Sequence, residues 1–200
     1  LVPDVGGSLL LARAPGHLGE CLGLTGHRMQ AADCIHAGFA DHYVAPDRIA
    51  ELVTALTGDS DVAAVIAAVS EMPGDSVLAS YQPAIDSVFG GADVPAIMAA
   101  LDSDETLANS FGRMAAGLAA GSPIALAATL ALVRAVRRDP TMETALDLEY
   151  RFTHRSFAET DFIEGIRAAV IDKDHKPAWR HDHVADVPPV LVNALLTPLD

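Results

Sequence analysis

Ser122-Pro123-Ile124-Ala125-Leu126 begins the stretch that decides the fold. Serine before proline reads as an N-cap followed by proline at the first helical position, where a missing N–H costs nothing. The spacing predicts a helix from Ile124 to Arg138. Arg134, Arg137 and Arg138 sit in its last turns, where cations complement the dipole, and Pro140 ends it. Thr141, with Thr144 beyond, opens a second long helix carrying Leu146, Tyr150, Phe152, Thr153 and Phe157. Asp161 to Asp172 reads as a third amphipathic helix, with Phe162, Ile163, Ile166, Ala169 and Val170 facing inward. Just upstream, Thr106 to Ala119 reads as one more helix.

Outward from that block the helical reading continues in shorter pieces. Pro3-Asp4-Val5-Gly6-Gly7-Ser8 is a turn, followed by a short helix over Leu9 to Ala12 that Pro15-Gly16 stops. Leu18, Cys21, Leu22 and Leu24 recur at helical spacing, with Gly26 where a left-handed helix terminus would fall. Ala31 to Ala37 reads as a short helix, Phe39 to Val44 as a short strand, and Asp47 as the N-cap of a helix from Arg48 to Leu56. From Thr57 to about Asp104 the pattern changes: Ala63 to Val69 is helical, Pro73-Gly74-Asp75 breaks it, and Val94, Ile97, Met98 and Leu101 share a helical face. After Val187, Pro188-Pro189 begins a tail expected to fray.

Composition agrees with close-packed helices. Half of the 200 residues are apolar, and aromatics make up 5%. The formal net charge of −14 would repel double-stranded nucleic acid and an anionic membrane, so neither is expected as a partner. No run of 18 apolar residues predicts a membrane-crossing helix. Cys21 and Cys34 read as reduced core thiols, and the expected location is cytoplasmic. The chain opens on Leu1-Val2-Pro3-Asp4 rather than on Met, as a fragment or processed product would.

Few stretches carry chemistry. Asp4 is a carboxylate on a rigid turn, and Gly6 and Gly7 would let a ligand approach the backbone ahead of a helix N-terminus. The competing reading is an N-cap aspartate with turn glycines. Lys173, Lys176 and Arg180 cluster beside Trp179, as a phosphate site or as cations at a helix C-terminus would. His181 and His183 with Asp182 and Asp186 lack a further ligand set, so no metal is expected. Cys34 and His36 lie two apart, which on a helix points them away from each other.

Several of these stretches resemble one family. Pro3-Asp4-Val5-Gly6-Gly7, Arg13-Ala14-Pro15-Gly16-His17-Leu18-Gly19, Leu24-Thr25-Gly26-His27-Arg28 and Ala40-Asp41-His42-Tyr43-Val44 are similar to the crotonase superfamily, most to its 3-hydroxyisobutyryl-CoA hydrolase branch. So are Ser122-Pro123-Ile124-Ala125-Leu126 and Leu148-Glu149-Tyr150-Arg151. The most specific block runs from Asp161-Phe162-Ile163-Glu164-Gly165-Ile166-Arg167-Ala168 through Ile171-Asp172-Lys173-Asp174 to Lys176-Pro177-Ala178-Trp179. Ile85, Phe89, Val94, Ile97 and Leu101 resemble the insertion that sets these hydrolases apart from ordinary enoyl-CoA hydratases.

The resemblance implies an α/β crotonase-like spiral of β-β-α units, of which the part present is predominantly α-helical. It divides the chain into the end of the spiral core (1–56), a hydrolase-type helical insertion (57–104), a C-terminal helical region (105–187) and a tail (188–200). It implies an acyl-CoA thioester as substrate, with no separate cofactor, in valine breakdown, and admits a homo-oligomer. In such enzymes two N–H groups polarise the thioester carbonyl and carboxylates handle water or the acyl group. Asp4 matches the family's aspartate at the substrate, Gly6 and Gly7 border it, and Lys173 falls near the lysine by the CoA nucleotide. The family's oxyanion-donor segment and its glutamates match nothing here. Losing even one oxyanion donor costs about 10²–10³ in rate, so the chain alone is expected to be inactive. Apolar faces of the first three helices are expected to lie uncovered. Enoyl-CoA hydratase or isomerase chemistry is a second reading, and a non-catalytic remnant or assembly piece is a third.

Overall fold

The computed structural model describes residues 1–58, 61–104, 107 and 112–199. In chain order its helices are α1 (Gly7–Arg13), α2 (Leu18–Thr25), α3 (Ala31–His36), α4 (Ile49–Leu56), α5 (Val62–Val69), α6 (Val77–Phe89), α7 (Val94–Ser103), α8 (Gly112–Ala120), α9 (Pro123–Arg138), α10 (Met142–Glu159), α11 (Phe162–Ile166) and α12 (Pro189–Leu196). Of the helix expected over Thr106 to Ala119, the part before Gly112 lies outside the described residues apart from Leu107. The chain divides into two compact units, Leu1–His27 with Pro83–Asp200 and Arg28–Gln82, and the division falls inside α6.

In the first unit α9 is the central helix. Ser122 caps it through Ala125 N at 3.3 Å, and Pro123 stands in its first turn. Its buried row Ile124, Ala128, Leu132 and Val136 packs with Leu9 and Ala12 of α1, Ala145 and Phe152 of α10, Val192 and Leu195 of α12, and Val2. Each large apolar side chain buried there contributes about 1.5–3 kcal/mol. α1 and α2 cross closely enough that a Cβ on Gly19 would lie 1.8 Å from the Leu11 carbonyl oxygen, so only glycine fits. The faces of α1 and α2 expected to be bare are covered: Leu9, Leu11, Leu18, Cys21, Leu22 and Leu24 are buried.

Leu10 of α1 is exposed, and further uncovered apolar residues lie on α4 and α10. Leu146, Tyr150 and Phe157 are exposed, while the buried row is Ala145, Glu149, Phe152 and Ser156. The third helix of the C-terminal block also differs from expectation. Its α-helical part ends at Ile166, and Arg167–Ile171 widens into a π-helical turn in which Asp172 N donates to Arg167 O at 2.8 Å. Ala168 is the buried residue, whereas Ile163, Ala169 and Val170 face solvent. The tail beyond Val187 is α12, whose Leu195 is fully buried.

The second unit holds α3, α4, α5 and the start of α6. Buried Asp33 ties α3 to α6: it accepts hydrogen bonds from Gln30 N (3.1 Å), Ser76 Oγ (2.7 Å) and Leu78 N (3.0 Å). Arg48 joins Glu51 to the Ala68 and Val69 carbonyls at the end of α5. Asp47 does not cap α4, because a 3₁₀ turn at Pro46–Arg48 precedes it. The strand expected over Phe39 to Val44 reduces to one antiparallel bridge, Tyr43 to Glu71. A ladder needs a partner for each exposed N–H and C=O. Among the described residues, bridging there is confined to Glu71.

Candidate active site

Asp4 opens a tight turn. Gly7 N donates to Asp4 O at 2.8 Å, and both central residues have positive φ, +48° at Val5 and +86° at Gly6. That is the signature of the type I′ class, which glycine, asparagine and aspartate dominate. A valine in this region is strained. Here it is 89% exposed, so packing of its own does not hold it.

What holds the turn is Glu149, 3% exposed on the buried row of α10. Its Oε2 accepts from Gly6 N at 2.8 Å, and its Oε1 accepts from Ser8 N at 2.9 Å and Ser8 Oγ at 2.5 Å. The donors that the sequence offers to an outside anion are thus engaged by the chain's own carboxylate. Gly6 and Gly7 shape the turn, and a Cβ at Gly6 would come within 2.9 Å of Met142 Sδ. The Asp4 side chain is exposed.

A cleft of about 260 Å³ is lined by Leu1, Phe152, Phe162, Ile166, Val170 and Trp179, with a polar edge at Ser122, Thr160 and Asp161. That is somewhat below the roughly 300–1,000 Å³ of drug-sized ligand sites. Asp161 is buried and accepts from Ser122 Oγ at 2.6 Å and Arg180 N at 2.9 Å. Asp4 lies three residues from Leu1 and Lys173 three residues from Val170. Each Cα is therefore at most about 11 Å from a residue of the cleft wall.

Lys173 is exposed with φ +55°, in a loop organised by Arg167. Arg167 grips Glu164 with Nε at 2.9 Å and Nη2 at 2.7 Å, Asp172 and Asp174 with Nη1 at 2.7 and 2.9 Å, and the Lys176 carbonyl at 3.0 Å. Glu164 also accepts from Ala178 N at 2.7 Å. The Arg167 guanidinium, and next the Ala178 N–H, hold the Glu164 carboxyl down to about 2. The basic cluster read from sequence is dispersed. Arg180 Nη2 donates to Ala158 O at 3.1 Å and Trp179 Nε1 to Ala120 O at 3.3 Å, while Lys176 is exposed.

His183 and Asp186 cap a 3₁₀ turn. His36 Nε2 lies 2.9 Å from Gln82 Oε1. Among the described residues there is no group of three or more His, Cys, Asp or Glu placed to hold a metal, and no helix long and apolar enough to cross a membrane. Glu149 was not legible as a site residue. The signal was its place in the row Ala145, Glu149, Phe152, Ser156, where an acid at helical core spacing demands a partner.

These features define the helical part of a crotonase-type fold, with a turn at Asp4 that Glu149 braces. The chain belongs to the enoyl-CoA hydratase/isomerase family, whose sequence pattern matches residues 1–196. Among solved structures, an enoyl-CoA hydratase from Rhodobacter sphaeroides 2.4.1 is 44% identical with a TM-score of 0.89. A carnitinyl-CoA dehydratase from Mycobacterium thermoresistibile is 40% identical with a TM-score of 0.91. Each covers all of this chain and 57% of its own. Among curated proteins, the mitochondrial 3-hydroxyisobutyryl-CoA hydrolase of Danio rerio is 33% identical over 100% of this chain and 54% of its own length. Small ribosomal subunit protein mS47 of Arabidopsis thaliana is 32% identical over 98% and 51%. The chain therefore spans about half the length of the curated relatives it matches.

Proposed function

We propose that the chain is the C-terminal part of an acyl-CoA thioester hydrolase acting on 3-hydroxyisobutyryl-CoA or a related 3-hydroxyacyl-CoA. The observation that carries this reading is Asp4, exposed on a turn that a buried glutamate braces, in a chain whose curated relatives include hydrolases of that name. In the reaction, water oxygen bonds to the thioester carbonyl carbon, the C–S bond breaks, and CoA leaves as the thiol. Asp4 meets the acyl hydroxyl or the attacking water. Gly6 and Gly7 give the turn its shape at the substrate, and Lys173 lies toward the CoA phosphates. CoA belongs to the substrate, so the proposal includes no further cofactor.

Hydratase or isomerase chemistry is the second reading, favoured by the higher identity to solved structures named hydratase and dehydratase. The relative named as a ribosomal protein supports an assembly role instead, although a net charge of −14 works against contact with RNA. The deciding assay offers 3-hydroxyisobutyryl-CoA and crotonyl-CoA to the gene product that contains this chain. It follows free thiol for the first substrate and enoyl absorbance for the second. Thiol release that falls in Asp4→Ala supports the hydrolase. Loss of enoyl absorbance without thiol release replaces it with a hydratase, and neither signal leaves the assembly role.

A further inference from the structure

We infer that Glu149 is the positioning residue for Asp4. Three donors from one turn converge on a carboxylate 141 to 143 residues away in sequence: Gly6 N, Ser8 N and Ser8 Oγ. Burying a carboxylate is costly unless its oxygens are satisfied, so this pairing is specific rather than incidental. The turn it fastens is strained. Val5 at φ +48° has a β-branched side chain in the left-handed region and is exposed, and such a conformation persists only where its surroundings over-determine it.

Without Glu149 the turn keeps the Asp4 O to Gly7 N hydrogen bond but loses both hydrogen bonds from its Gly6 and Ser8 amides. Val5 is then free to relax toward negative φ, which swings the backbone that carries Asp4. Met142, seated against Gly6 from the first turn of the same helix, makes α10 the template on which the turn is built. Glu149 is buried beneath the turn, so it acts through Asp4 and not on substrate.

This inference rests on the reading of Asp4 as the substrate-side carboxylate, and its test separates the two. In the 200-residue chain, amide hydrogen exchange is measured for wild type and Glu149→Gln. Protection at Gly6 and Ser8 is expected to fall at least about tenfold, with Leu132 and Val133 in α9 unchanged. Unchanged Gly6 and Ser8 amides, or an equal loss throughout the chain, overturn the proposal. Should Glu149→Gln fail to fold, Ser8→Ala removes one of the three contacts and must loosen the same two amides without touching α9.

In the gene product containing this chain, Glu149→Gln is expected to lower kcat for 3-hydroxyisobutyryl-CoA by about 10²-fold at unchanged KM, the cost of a misplaced group. It should add nothing in an Asp4→Ala background. A further loss there overturns the proposal. If Asp4→Ala alone has no effect, the catalytic reading of Asp4 falls, while the exchange result still decides whether Glu149 sets the turn.

Discussion

Arg137 and Glu20 form a two-armed ion pair in which Nη1 and Nη2 lie 3.0 and 2.8 Å from Oε1 and Oε2 of a carboxylate only 1% exposed. The same arginine donates from Nε to Ala12 O, so one side chain of α9 clamps both α1 and α2. Removing Arg137 leaves the buried Glu20 carboxylate without its two-armed partner, facing His17 Nδ1 at 3.2 Å and Arg134 Nε at 3.8 Å. Arg137→Ala is expected to destabilise the fold by about 3 kcal/mol, and the double replacement Glu20→Leu with Arg137→Met by much less. Urea midpoints of the three proteins check this. A double variant as unstable as the single one would show that the clamp acts by shape and not by charge.

Val5 carries strain for which the turn has no packing return. Val5→Asn keeps positive φ at lower cost and is expected to raise stability by about 1 kcal/mol. Gly6→Ala is expected to lower it by about 1–3 kcal/mol, because φ is +86° and the new methyl group meets Met142. Thermal unfolding of both variants tests the opposite signs.

The helix starts were legible because caps are local chemistry. Ser122-Pro123 and Thr141 begin α9 and α10 where the sequence places them. The buried face of α10 was not legible. Leu146, Tyr150 and Phe157 are exposed, and small and polar residues, Ala145, Glu149 and Ser156, hold the buried side with Phe152, where Glu149 accepts from the turn. The π-helical turn after Ile166 was equally hidden. Arg167 gathers carboxylates on both sides of it, a local charge arrangement that apolar periodicity does not record. At the site, Asp4 and Lys173 stood out in the sequence as a carboxylate on a turn and a cation in an acidic chain. The residues that hold them, Glu149 and Arg167, did not.

Burial pushes the Cys21 thiol up to about 12, with the Thr25 hydrogen bond opposing and Glu20 reinforcing the rise. Cys34 is half-buried. A disulfide-exchange reagent at pH 8 is expected to label Cys34 in the folded protein and both thiols in urea. The linkage follows from the sign. A thiol that ionises near 9.0 when unfolded and near 12 when folded favours the folded state's protonated form, so stability falls as pH rises above 9. The slope is about 1.4 kcal/mol per pH unit. Comparing urea unfolding of wild type and Cys21→Ala at pH 8 and pH 10 isolates that component, and identical pH slopes would remove it.

Arg167 ties the loop that carries Lys173 to α11, and Trp179, the chain's single tryptophan, reports on it because its ring lies 3.6 Å from where a Gly165 Cβ would be. Arg167, followed by the Ala178 N–H, holds the Glu164 carboxyl at about 2. Arg167, followed by the Lys176 N–H, holds Asp174 below its usual range. Carboxylates depressed in the folded state stabilise it above their ordinary range near pH 4 and lose that contribution as pH falls through the folded values. Tryptophan emission is therefore expected to stay constant from pH 7 to about pH 4 and to shift to longer wavelength on approach to pH 2. Arg167→Ala should show the shifted emission already at pH 7 with its helical circular dichroism intact, since the pairs organise a loop and not the α9 core. Salt at 1 M, where the screening length is about 3 Å, should weaken these solvent-facing pairs and move the wild type part of the way toward the variant. Emission in Arg167→Ala that matches wild type at every pH would mean that Trp179 and the backbone set the loop without the arginine, and Lys173 would lose its organiser.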